Sequence, residues 1–139
     1  MNMDEKAQEY FVDGGFNCAE STLLIASDRF GLDIDPETLK LISGFGGGMG
    51  CGKTCGALCG AIAALSKLIV KEKAHATPEF GKKCAEFVKL FGDTFGSCDC
   101  CEVKPVHFVE GIRCKNVVKT TSELLETYVA SLQEKADEK

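Results

Sequence analysis

Apolar residues recur along this chain at helical spacing. Phe80, Cys84, Phe87, Val88, Phe91 and Phe95 fall on one side of a helix, the three-and-four pattern of a segment facing a core. Val118, Leu125, Tyr128, Val129 and Leu132 repeat it in a last helix that starts around Lys115 and frays in the polar run from Gln133 to Lys139. Near the N-terminus a short helix is predicted from about Glu5 to Val12, ending at Asp13-Gly14-Gly15. Asn17 with Glu20 three positions on reads as a reciprocal cap, opening a helix through Leu23, Leu24 and Ala26 to about Phe30. Asp35-Pro36-Glu37 is a further start signal, as is Thr77-Pro78-Glu79 before the phenylalanine stripe. A central helix is expected from about Lys53 to Lys73, and the stretch from Gly96 to Arg113 is expected to be an irregular loop. No alternating strand pattern is present. The expected fold is all-α, a compact bundle of about five to six helices, with Ser43–Gly50 as a glycine-rich loop before the central helix. Residues 1–139 are expected to form one domain.

Charge and composition narrow the function. The net charge is −5 with no basic stripe, which argues against nucleic acid and leaves a basic protein partner open. No apolar run reaches the roughly 20 residues of a membrane span, and the N-terminus lacks an apolar signal core. A cytoplasmic location is therefore expected. Nine cysteines are unusual there, because a reducing compartment disfavours structural disulfides and an odd number cannot all pair. Metal binding or thiol redox chemistry accounts for them better.

Cys51-Gly, Cys55-Gly and Cys59-Gly repeat at four-residue intervals. On a helix, each step of four residues would turn about 400° and climb roughly 6 Å, so the sulfurs would share a face beside a glycine stripe. Interior glycines cost about 1 kcal/mol each against alanine, so three at this spacing point to a close approach by another backbone or a bulky inorganic ligand. A straight helix would separate the outer sulfurs by about 12 Å, which makes Cys55 the best ligand of the three. Cys18, just after Asn17, sits where a helix start favours thiolate, and Cys114 repeats that placement. Cys98-Asp-Cys100-Cys101 offers two ligands from one short loop, or a Cys-x-x-Cys redox pair outside any βαβ context. Cys84 reads as a core residue. His75 reads as surface, and His107 is an outside ligand candidate. Gly47 to Thr54 satisfies G-x-x-x-x-G-K-[ST], but no buried strand precedes it, and the match reads as a coincidence of a glycine loop before a helix.

These residues resemble a known family, the redox-active proteins named for their C-GCAxxG-C-C cysteine pattern. The resemblance spans Gly15-Phe-Asn-Cys18, the glycine loop with Cys55-Gly-Ala-Leu-Cys-Gly60, Phe95-Gly-Ser-Cys-Asp-Cys100, and Cys114 before the last helix. It implies a small helical protein whose characteristic cysteines are Cys18, Cys55, Cys100 and Cys114, with an oxidoreductase partner. The chain is also similar to the cluster-bearing domain of split-Soret cytochromes, which implies an iron–sulfur cluster. Cys51, Cys59, Cys98 and Cys101 are then alternates or a surrounding layer. The lack of Cys-x-x-Cys-His argues against covalent haem. The leading expectation is an iron–sulfur electron carrier. A thiol–disulfide oxidoreductase using Cys98 and Cys101, or one of them with Cys55, and a structural or regulatory zinc protein are the alternatives. No catalytic residue is assigned, and a homo-oligomer stays open.

Overall fold

The structure, a computed structural model, describes residues 1–137. Its order is α1 (Met3–Ala7), running into a π-helical turn (Gln8–Asp13); α2 (Cys18–Phe30); α3 (Pro36–Leu39), tightening into a 3-10 turn (Lys40–Phe45); α4 (Gly56–Ile69); α5 (Phe80–Phe95); α6 (Cys100–His107); and α7 (Lys115–Asp137). The fold is all-α, with seven helices where five to six were expected. Among the described residues there is no strand, only two isolated bridges. No described helix is long and apolar enough to cross a membrane.

The local reasons are legible. Asn17 accepts from Glu20 N–H at 2.9 Å, and Glu20 Oε1 accepts from Asn17 N–H at 3.0 Å, so the reciprocal cap opens α2. Gly31 closes it in a left-handed conformation. Asp35 caps α3 by accepting from Thr38 N–H at 2.7 Å. The expected cap before α5 is not used. Thr77 Oγ1 instead donates back to Lys73 O at 2.9 Å, and Glu79 enters the helix with a left-handed φ of 60°.

α2 and α4 pack along each other, and α7 lies against α1, α2, α4 and α5. Gly60 permits the first contact, since a Cβ there would run into Ala19 O and stand 3.1 Å from Thr22 Cβ. Phe87 and Phe91 of α5, Leu58 and Leu65 of α4, and Leu125 and Val129 of α7 fill the main core. Phe11, Ile25, Ala7 and Val118 form a smaller one beneath the N-terminus. Val88, expected in the α5 stripe, is exposed, and Cys84 lies half-buried at the core's edge.

Three expectations need correction. The segment Gly96 to Arg113 is not wholly irregular, because α6 forms inside it, with Pro105 in its last turn. The polar C-terminal run stays helical through Asp137, and the last two residues of the expected frayed stretch lie outside the described residues. The central helix begins at Gly56, not Lys53. The Cys-Gly ladder is therefore no continuous helical face. Gly47, Gly48, Met49, Gly50 and Gly52 all carry positive φ, between 60° and 77°, so the chain winds left-handed there. Glycine accepts that conformation without a Cβ penalty, and four of the five are glycine.

Candidate metal centre

Beyond the left-handed loop the chain straightens for three residues and clips onto the segment before α6. Cys100 N–H donates to Lys53 O at 2.6 Å and Cys55 N–H to Cys98 O at 2.7 Å, with Thr54 opposite Asp99. This clip sets Cys55 beside Cys100. The glycine loop that leads to Lys53 and Thr54 follows a 3-10 turn, where a phosphate-cradling loop would need a preceding strand. Asn17 ties the same loop to α2, its side-chain amide donating to Ser43 O at 2.8 Å while Gly46 packs on it.

The four cysteines then arrive by a common device. Cys18 is the first residue of α2 and Cys100 the first of α6. Cys55 stands at the N-cap of α4, its carbonyl accepting from Cys59 N–H at 3.1 Å. Cys114 stands immediately before α7, its carbonyl accepting from Val117 and Val118. Four helices begin at one place, and the four thiols line a single cavity of about 170 Å³. Phe11, Val103, Phe108 and Val117 make its apolar wall, and Gly47 brings bare backbone to it.

Asn17, Lys104 and Arg113 complete the lining. Arg113 adopts a left-handed φ of 51° at the end of a tight turn in which it and Val109 exchange backbone hydrogen bonds at 2.6 and 2.9 Å. Its guanidinium donates to Phe11 O at 2.7 Å and lies over the Phe11 ring at 4.5 Å. The Lys104 ammonium lies over Phe108 at 5.5 Å. Neither cation has a carboxylate partner among the described residues.

Burial governs the thiols. It pushes Cys55 up to about 12, against the pull of the Leu58 and Ala57 backbone N–H groups at the start of α4, with Cys18 and Cys100 adding to the rise. Burial likewise raises Cys100 and Cys114, helped by Cys18, while Lys104 opposes both shifts and Arg113 opposes that of Cys114. At neutral pH these three are therefore thiols, and a soft metal binding them would displace protons.

The chain matches the model of the family described as "putative redox-active protein (C_GCAxxG_C_C)" over residues 16–128. The chain belongs to this C_GCAxxG_C_C family. No curated protein and no solved structure matches it. The match begins just before Cys18 and ends within α7, so it encloses all four cavity cysteines.

The other candidates lie elsewhere. Cys59 sits one turn beyond Cys55, half-buried, and its thiol is raised by burial and then by Cys18. Cys98 turns away toward α5, its Sγ 3.7 Å from Val88 O and against Gly92. Cys51 and Cys101 are exposed. None of these four lines the cavity. His107 packs edge-on against Phe95 at 5.1 Å. Among the described residues no three His, Cys, Asp or Glu side chains form a group that could hold a metal ion. The thiols stand around a wall rather than on a point. The sequence missed Lys104 and Arg113 as site residues. A tight turn at Gly111, just before Arg113 and Cys114, was the available signal.

Proposed function

We propose that the C_GCAxxG_C_C cavity holds an iron–sulfur cluster on Cys18, Cys55, Cys100 and Cys114, and that the protein passes electrons to an oxidoreductase partner in the cytoplasm. The observation that carries this is the convergence of four thiols, each at a helix start, on one cavity with two uncompensated cations. The cavity is of the size that takes a benzene-sized molecule, ~150 Å³ in an engineered example, and far exceeds the needs of one ion. That favours a polynuclear cluster over the zinc alternative, which asks four sulfurs to meet at a single tetrahedral point. Bound there, the cluster would supply one-electron chemistry.

The chain's own residues have definable parts. At the start of α4 the Leu58 and Ala57 N–H groups bond the Cys55 sulfur, and the positive end of each of the four helix dipoles favours negative charge nearby. Lys104 and Arg113 offset the charge of four thiolates. Phe11, Val103, Phe108 and Val117 exclude water, and the bare Gly47 backbone leaves room for a bulky inorganic group. The Cys98–Cys101 pair of the thiol–disulfide alternative draws no comparable support, since Cys98 faces α5 and Cys101 faces solvent.

Anaerobically purified protein is expected to contain iron and acid-labile sulfide, with visible absorption from sulfur-to-iron charge transfer. Cys55→Ser should lose most of both, because serine binds soft metals less well than thiolate. Stoichiometric zinc, or metal-free protein that takes up no iron and sulfide on reconstitution, would overturn the proposal.

A further inference from the structure

Of the nine thiols, only Cys51 and Cys101 are exposed. They lie on opposite sides of the clip that joins the left-handed loop to α6. Extended one residue past Lys53 and Cys100, the antiparallel register sets Gly52 against Cys101. The contact is close, since a Cβ on Gly52 would stand 3.1 Å from Cys101 Cβ and 3.8 Å from its Cα. Cys51 is the neighbouring residue, and its Sγ folds back to 3.6 Å from Gly48 O. Gly48 in turn abuts the Cβ of Cys100. Glycines at 50 and 52, both at positive φ, flank Cys51 and leave its side chain free to swing.

We propose that Cys51 and Cys101 are a redox-active dithiol that exchanges with low-molecular-weight disulfides at the outer edge of the thiol cavity. One of the two, as thiolate, attacks a sulfur of the external disulfide. The external S–S bond breaks, one external thiolate leaves, and a mixed disulfide forms on the protein. The second protein thiolate then attacks the mixed disulfide at the protein's sulfur, closing Cys51–Cys101 and releasing the second external thiol. The dithiol is oxidised by two electrons, the external disulfide is reduced to two thiols, and the two protons from the cysteines end on those thiols. The closed form ties the left-handed loop to α6 across the clip that positions Cys55 and Cys100. Nothing in this step depends on what fills the cavity, so it stands or falls apart from the cluster.

The test is to equilibrate the full-length protein, without oxygen, in glutathione buffers from fully reduced to disulfide-rich, then block free thiols and map the tryptic peptides. Cys51 lies on the Leu41–Lys53 peptide, separate from the one bearing Cys98, Cys100 and Cys101. The expected product is these two peptides cross-linked with loss of two hydrogens, fragmentation placing the bond on Cys101, and complete reversal by dithiothreitol. Cys51→Ser should stop at a glutathione adduct on Cys101. Cross-links at Cys98 or Cys100, separate adducts on Cys51 and Cys101 without closure, or thiols that stay free throughout would each overturn the proposal. The wild-type map decides the matter even if the variant folds poorly.

Discussion

Gly56 is the residue on which the site's geometry is most exposed to change. A methyl group there would collide with Cys18 Sγ and with Phe45 O, so the start of α4 can approach the start of α2 only without a side chain. Gly56→Ala should cost about 1–3 kcal/mol, as overpacking generally does, and should displace Cys18 from the cavity. The urea midpoint checks the first effect, and iron content after reconstitution checks the second. Cys55 makes a second prediction at this scale. Its thiol ionises at the ordinary 9.0 in the unfolded chain and at about 12 when buried. Above 9.0 the unfolded chain loses a proton that the folded protein keeps, so stability is full below 9.0 and falls as pH rises toward 12. Cys100 and Cys114 shift the same way. Urea midpoints of metal-free, reduced protein should be level near neutrality and decline through that alkaline window. A midpoint that rises there would contradict the burial of these thiols.

At the scale of elements, α2 was legible because both halves of its cap are written in Asn17 and Glu20. α5 and α7 were legible because a three-and-four apolar rhythm has one reading. The Cys51 to Cys59 ladder misled because a four-residue repeat is also a helical repeat. What decides against the helix is the positive φ of Met49, Gly50 and Gly52 together with pairing to Cys98 and Cys100 across the clip, and a partner distant in sequence leaves no local mark. α6 was hidden by Pro105 and the crowded cysteines. α7 carries one correctable fault, in that Thr121 Oγ1 is buried without a hydrogen-bond partner among the described residues. An unsatisfied buried hydroxyl costs about 1–3 kcal/mol. Thr121→Val keeps the shape and removes the polar atom, so thermal unfolding should move upward. A lower midpoint would mean the hydroxyl is satisfied after all.

Across the whole molecule, the four cavity cysteines could be named from the family pattern, while their meeting could not be read from any one segment. The glycine loop, tied to Asn17, links Cys18 to Cys55, the clip sets Cys100 beside Cys55, and the turn that ends at Arg113 brings in Cys114. Bringing four helices to start together has a consequence for metal-free protein. Each helix start carries about half a positive charge, and Lys104 and Arg113 stand among them. Burial holds Cys55, Cys100 and Cys114 in their neutral form, so they supply little countercharge. In metal-free protein this end of the bundle is therefore a place of mutual repulsion, held together by the cores behind it. It should be the first part of the bundle to open, exchanging its amide hydrogens ahead of α5 and the middle of α7, and negative charge entering the cavity would turn that repulsion into attraction.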